Sequence, residues 1–593
     1  MDFLDYYRDN LGYIRGLAAE FASEFPKIAG RLSLSEFDCQ DPYVERLLEG
    51  TAFLAARVEK KLDESYGRLL ETILGSLAPD ALYPVPSGAV LQLEPDYSLP
   101  TVSQGGVLPM GTAFDAFIPG INTPCRFSSF VDMPLSPLLV REAEYLTRDL
   151  SGFGIHDEKA RAALYLKLES FGGEGRADTC FFLNMSDDGA SRLLRQLMAD
   201  SGRIYSGSSG SFSPLNGLRI SLPFRAGSRS LFRELKGNIQ GLRFLQDFMA
   251  YPAFFKFFTL EKFPLVRGLR EILITFRRRD QSLATELKTG SLRLNCVPAL
   301  NLFNKRSDRI PMERETYEYH VTPERAAMRD FEVLSVKGVE FFNERNEKLF
   351  SARGFYEDDL FKEGEQNFFS QHRRRTLFST KAARRSSYDG SELFLTFSGR
   401  DRRLDEAYQF AAELVCTNRD LPLLLSGSAG LVTKAPLVKS CSFVTRPTRP
   451  DYSGIEQGEQ SDFAKLGHLL YNLSAALWQE GDFPLEMFKT MLRNYRFRGN
   501  EETGRMVDGI VKIDRRTTAF RFVEKGALFF ERGWKVDIYL DENAYAGIGY
   551  YLFACALAEM LRSFTPISSI VEINVYTQQS GYLGTWKTTL EKG

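Results

Sequence analysis

Apolar residues recur at spacings of three and four from the start of the chain: Leu4, Tyr7, Leu11, Ile14, Ala18, Phe21 and Phe25. Such a seam lays one apolar stripe along a helix, and Pro26 stops it. Gly12 and Gly16 each weaken a helix by about 1 kcal/mol relative to Ala, so this one needs a packing partner. Asp41-Pro42 opens a second helix, an N-cap followed by proline at the first helical position. Its stripe runs Val44, Leu47, Thr51, Leu54 and Val58, then slips to Leu62 and Tyr66 as a stutter would make it. Leu69, Ile73 and Leu77 are expected to continue into a third short helix, closed by Pro79, Pro84 and Pro86. Two readings fit this periodicity: a bundle packed on its own domain, and a helical stalk completed by other chains.

From Val90 the texture changes to short strands separated by Gly, Pro and Ser. Residues 163–168, 179–183, 273–277, 291–297, 330–336 and 392–397 read as strands, and residues 206–211 as a loop. Helices are expected around residues 192–198, through 241–258 with a break at Pro252, and over 403–415. Beyond Pro450 comes a helix-rich block to Phe497, then strands at 509–523 and 534–540, a buried helix over 544–564 and a strand at 570–577. No fixed period repeats, which excludes a solenoid or propeller. The fold class is α+β: an N-terminal helical bundle segment, mixed β-rich domains and an α/β C-terminal domain. The boundaries expected are 1–86, 87–330, 331–450 and 451–593.

Composition narrows the function classes. The 593 residues carry 75 Lys+Arg against 77 Asp+Glu, a net charge of −2, which argues against a dedicated polyanion binder. The aromatic share is high, with 48 Phe and 25 Tyr, while only four histidines occur. Large cores and large interfaces both use such rings. Seven scattered cysteines never form a C-x-x-C pair, so neither a zinc ribbon nor a disulfide framework is expected. The opening Met1-Asp2-Phe3-Leu4-Asp5 is acidic where a secretory signal is basic. The best uncharged stretch, 543–558, falls short of the roughly 20 residues that cross a bilayer. A soluble cytoplasmic protein is the expectation.

Candidate chemistry is sparse. G-x-x-x-x-G-K-[ST], G-x-S-x-G and H-E-x-x-H are all absent. A Cys/His pair built on Cys416 or Cys296 would need partners brought together only in the fold. The basic run Arg373, Arg374, Arg375, Lys381, Arg384 and Arg385 could hold phosphate, but a solvated face or a protein contact is the commoner use of such a run. No catalytic residue, cofactor or metal is assigned, and no nucleic acid is expected as partner.

Several runs, taken together and in order, resemble the TssF family (VasA or ImpG), baseplate subunits of the bacterial type VI secretion system. They are Phe25-Pro26-Lys27-Ile28-Ala29-Gly30-Arg31-Leu32, Asp41-Pro42-Tyr43-Val44-Glu45-Arg46-Leu47, residues 53–58 and Tyr83-Pro84-Val85-Pro86-Ser87. Further along come Gly241 to Phe248 with Tyr251-Pro252, Asn295 to Pro298 with Asn301-Leu302-Phe303, and Cys416-Thr417-Asn418-Arg419-Asp420-Leu421-Pro422. Arg446-Pro447-Thr448, Glu531-Arg532-Gly533, Asp541-Glu542, Ala546-Gly547 and Gly581 before Trp586 complete the series. Leu242 departs from the family's usual aromatic, and segment 201–240 has no counterpart.

The resemblance implies a structural role without catalysis. Two TssF copies would join one TssG, TssK would attach, and such wedges would close around a VgrG spike hub to template a contractile sheath and tube. The complex would sit in the cytoplasm, docked at the inner membrane through the secretion membrane complex, with no insertion of this chain itself. The seam Leu4 to Phe25 would then pack against the second copy and TssG, and the C-terminal region would serve dimerisation. Pro26, Gly30, Pro42, Glu45, Arg46, Gly241, Pro252, Asn418, Arg419, Pro422, Arg532, Gly533 and Gly547 would be structural, with Asn418 to Asp420 bonding around a tight turn. The alternatives are a wedge protein of a related extracellular contractile particle and, further off, an enzyme with a Cys- or carboxylate-based site.

Overall fold

A computed structural model describes residues 3–32, 41–77, 83–147, 150–155, 157–173, 175–208, 211–224, 240–313, 315–355, 367–375, 386–388, 390–399, 406–427, 429–451, 477–479, 481–494, 501–524, 527–565 and 570–587. The chain divides into two compact units, one of residues 1–75 with 457–466, the other of 76–456 and 467–593.

The first unit is helical. Helix α1 (Phe3–Glu24) runs through both of its glycines, and a short turn of helix, Pro26–Ala29, follows the break at Phe25. Helix α2 (Pro42–Leu77) is a single element of 36 residues. The third helix expected at Leu69 to Leu77 is therefore the last part of α2. The slip in apolar register after Val58 is absorbed as a stutter without a break. Asp41 caps α2, its Oδ1 accepting from the Tyr43 N–H at 2.9 Å.

The second unit holds the sheets. A closed antiparallel barrel runs in the order Gly88–Pro95, Cys296–Leu300, Cys125–Ser129, Ala113–Ala116, Leu431–Thr433 and Val438–Phe443, and back to the first. Its two closing strands come from distant stretches of the chain, tied where Ser87 Oγ donates to the Thr448 carbonyl at 2.6 Å. A five-stranded sheet (Ser211–Pro214, Ser201–Ser208, Gly268–Phe276, Ala162–Ser170, Leu138–Leu146) and a four-stranded sheet (Arg219–Ser221, Phe257–Leu265, Gly175–Leu183, Leu292–Leu294) stand beside it. Alternation explains them: Leu164, Leu166 and Leu168 point inward while the residues between lean to solvent.

A larger sheet runs Phe303–Arg306, Gln409–Thr417, Glu332–Phe342, Lys348–Gly354, Asn367–Arg375, Ser391–Gly399 and Tyr319–His320, with Ile310–Pro311 also on Gln409–Thr417. The last sheet is Ile510–Glu524, Ala527–Leu540, Ile570–Thr577 and Gly581–Lys587. Its central pair is parallel, so the chain crosses over through the helix Tyr550–Ser563. That helix is buried from Tyr550 to Leu561, as its apolar sequence requires. One core joins it to the five- and four-stranded sheets, through Phe248, Phe258, Ile274, Phe553 and Val575 among others.

Other expectations fail locally, as where the helix expected through 241–258 gives way after Pro252–Phe255 to the strand Phe257–Leu265. The helix expected over 403–415 is instead, from Gln409 to Thr417, a central strand. Ala411, Ala412, Glu413 and Leu414 favour a helix by themselves, but pairing on both edges and burial override that weak preference. The run 206–211, expected as a loop, belongs to paired strands Ser201–Ser208 and Ser211–Pro214, with 209 and 210 outside the described residues.

Candidate functional site

The seam of α1 is not the core of its own unit. No residue of α1 is buried: Leu4, Phe21 and Phe25 are exposed, while Tyr7, Leu11, Ile14 and Ala18 are half-buried. In the whole helical unit only Ala29, Ala52 and Ala56 are buried among the described residues. Contacts between the helices include the Phe3–Phe53 ring pair at 5.2 Å, Asn10 Nδ2 donating to Glu59 Oε2 at 2.6 Å, and the Arg15–Glu45 ion pair. Between the helices lies an open cleft of about 660 Å³, walled by Asp9, Asn10 and Tyr13 on one side and Thr51, Leu54 and Val58 on the other.

At 3.6 residues per turn, Asp9, Asn10 and Tyr13 sit roughly a third of a turn round from the seam. Phe3, Asn10 and Arg15, which touch α2, flank the half-buried seam on its two sides, whereas Asp9 and Tyr13 stand exposed at the rim of the cleft. Tyr13 and Leu17 are also exposed, at 68% and 46%, and the heptad reading passed over both. Together with the seam they make about half of α1 apolar. Such a width suits a helix flanked by more than one neighbour.

In the second unit, runs far apart in sequence meet around buried amides. Asn418 Oδ1 accepts from the Arg126 N–H at 2.9 Å and from Asn301 Nδ2 at 2.8 Å. Its N–H donates to Asn301 Oδ1 at 2.6 Å, and its Nδ2 donates to the carbonyls of Pro124 and Asp330. Arg419 follows in the left-handed region at φ 51°, and its Nη2 donates to the Ser391 carbonyl at 3.1 Å. Asp420 accepts from Ser386 Oγ at 2.7 Å, and Pro422 is buried in the 3-10 turn Leu421–Leu424. Close by, buried Glu332 accepts from Tyr388 OH and from the Ser391 N–H and Oγ, each at 2.7 Å. The cluster ties the barrel strand Cys125–Ser129 to the large sheet, and every amide is satisfied, as burial demands.

A second joint forms where Tyr251 OH donates to the Pro86 carbonyl at 2.6 Å, with Pro252 opening the next turn. Gly88 leaves room for that ring: a Cβ there would stand 2.7 Å from it. Gly241 lies in the first turn of the helix Gln240–Ala250, where Arg243 and Asp247 pair at 2.9 Å. Gly533 lies where a Cβ would meet the Ile570 carbonyl of the neighbouring strand and the Phe520 ring. Arg532 is exposed beside it. Gly547 adopts φ 86° in the turn before the helix Tyr550–Ser563. Pro42 is the first residue of α2, Glu45 pairs with Arg15, Arg46 pairs with Glu49, and Pro26 opens the short turn of helix after α1 while Gly30 caps its end. Glu332, Asn301 and Tyr251 are not among the site residues expected from the sequence. Asn301 and Tyr251 stood inside quoted runs, but nothing in the sequence marked Glu332.

Among the described residues the candidate thiols and basic side chains serve packing. Burial pushes the Cys180 thiol to about 12 and the Cys441 thiol to about 11, and raises Cys296, Cys416 and Cys555 as well. No His/Cys/Asp/Glu group among the described residues could hold a metal ion. Within the basic run, Arg373 donates to the Val333 and Leu334 carbonyls and to Ser391 Oγ, and Arg374 pairs with Glu318 over the Phe394 ring. Both guanidiniums serve the sheet. Lys381, Arg384 and Arg385 lie outside the described residues. No described helix is long and apolar enough to cross a membrane.

A family model described as "Type VI secretion system, TssF" matches residues 1–592. The type VI secretion system component TssF1 of Pseudomonas aeruginosa is 31% identical over 618 residues, covering 98% of each chain. Two solved structures share the fold. A chain of a type VI TssK-TssF-TssG baseplate subcomplex, seen by cryo-electron microscopy, superposes with a TM-score of 0.71 at 20% identity, over 93% of this chain and 99% of that one. A chain of a type VI secretion baseplate complex does so at 0.56 and 19%, over 99% and 98%.

Proposed function

The chain belongs to the TssF family of the type VI secretion system, and from that premise we propose that it is a structural wedge subunit of the baseplate. It assembles with TssG and TssK, and with a second copy of itself, around a VgrG spike hub, and the platform so formed templates the sheath and tube. It acts in the cytoplasm at the inner face of the membrane complex, and it turns over no substrate.

One observation carries the reading: α1 is apolar over about half its circumference, yet none of its residues is buried. Leaving such faces in water is unfavourable, since burying one aliphatic side chain is worth roughly 1.5–3 kcal/mol. Helices from other chains, packed on the face that carries Leu4, Leu11, Ile14 and Ala18, remove that penalty. Raised thiol values and the structural use of Arg373 and Arg374 fit a scaffold better than an enzyme or a nucleic-acid module. Co-expression with the TssG and TssK encoded beside it tests the proposal. A co-eluting complex with more than one copy of this chain per TssG is expected. A sharp monomer that ignores both would overturn it.

A further inference from the structure

The second unit carries a cleft of about 510 Å³ that the helical assembly reading does not use. Its floor is the helix Tyr550–Ser563, through Leu552, Cys555, Ala556 and Glu559. One wall is aromatic: Phe224, Phe244 and Phe255 interlock edge to face, with ring centroids 5.2 to 6.4 Å apart. Two different sheets end at this cleft. Arg219–Ser221 is the outer strand of the four-stranded sheet, and Gly581–Lys587 is the outer strand of the C-terminal sheet. Residues of both line it, among them Arg219, Tyr582 and Trp586.

An outer strand presents a row of unpaired N–H and C=O groups, a template for one more strand. Here that template borders an aromatic wall, and Tyr582 stands 49% exposed at its mouth. The charges are uneven. Arg562 is paired with Glu559 at 3.0 Å and Lys587 with Glu572 at 2.6 Å. Arg219 has no ion pair with a described residue, although Glu261 stands opposite it in the ladder. Among the described residues, one positive charge is left open at the cleft's edge.

We propose that this cleft docks an extended segment of a partner chain, added as a strand along Gly581–Lys587. The segment carries a bulky apolar side chain for the aromatic wall and an Asp or Glu close to it for Arg219. The proposal rests on the baseplate reading for its source of partner, and the test separates the two.

The full chain with the photoreactive residue p-benzoylphenylalanine at Tyr582 is purified in complex with its co-expressed TssG and TssK, irradiated and mapped by mass spectrometry. Expected is a cross-link to a partner segment with an acidic residue within two or three positions of an aromatic or large aliphatic one. Arg219→Glu should lower its yield about five- to tenfold, the scale of turning one exposed attraction into a repulsion. A cross-link to residues 225–239 or 588–593 of the same chain means the protein fills its own cleft, and overturns the proposal. So does an intact complex without any cross-link at Tyr582, a cross-linked segment lacking the acid, or a yield indifferent to Arg219→Glu. If the wild-type chain fails to co-elute with its neighbours, the baseplate reading fails first and this docking site falls with it.

Discussion

Asn418 shows how much one side chain holds. It is fully buried and bonds to Arg126, Asn301, Pro124 and Asp330, joining the barrel to the large sheet. Asn418→Ala strands the Arg126 N–H and the Asn301 amide, at about 1–3 kcal/mol for each group left unpaired. Chemical denaturation should show a loss of about 2–4 kcal/mol, against under 0.5 kcal/mol for a change at exposed Leu423. The run containing Asn418 was legible in the sequence, but its partners were not, because they lie 292 and 117 residues away. Glu572 offers a pH test. Burial alone would raise its carboxyl, but Lys587 at 2.6 Å and Lys535 at 3.3 Å outweigh burial and hold it below the ordinary glutamate value. A lowered folded-state value stabilises fully above the unfolded value of about 4.3, and that stabilisation is lost as pH falls from there through the lower folded-state value. Glu572→Gln should therefore be less stable at pH 7 by about 1 kcal/mol or less, since the pairs are open to solvent, and converge on wild type as the pH falls through the folded-state value of Glu572. Urea midpoints measured across that range decide it.

At the scale of elements, α1 was the most legible part because its period of three and four needs no tertiary information. Which face meets which neighbour was not legible, since Tyr13 and Leu17 widen the stripe beyond a strict heptad. The strand Gln409–Thr417 was misread for the opposite reason: its fate is decided by the strands on either side of it. The geometry of α1 gives paired predictions. Leu11→Asp with Ile14→Asp places two charges on the seam while leaving the sheets untouched, so the variant should stay soluble and fail to co-elute with TssG. Assembly at wild-type yield would show that the seam faces solvent. Gly12 and Gly16 lie on the opposite face, with nothing within 4 Å of an added Cβ. Gly12→Ala with Gly16→Ala should gain helix stability by about 1 kcal/mol per site and leave assembly intact. Circular dichroism and co-elution read the two effects separately.

Across the molecule, the four apolar cores among the described residues are built from residues beyond the helical unit. A chain begun at Tyr83 should therefore unfold cooperatively while losing its partners, measurable by calorimetry and co-elution. Fold class followed from texture alone, with helices first and strands after, whereas the barrel did not, because its strands are short and gathered from distant stretches. That gathering has a consequence for how the protein comes into being. Ser87 and Thr448, which clasp where the barrel closes, are 361 positions apart. At a ribosome speed of roughly 5–20 residues per second, the first barrel strand waits about 20–70 s for its last neighbour to be made. During that interval the nascent Gly88–Pro95, apolar along Ala89, Leu91 and Leu93, has one edge with no native strand to receive it. The baseplate subunit is thus longest at risk in the cell before it is finished, and its closed barrel is, on the ribosome, an open hem.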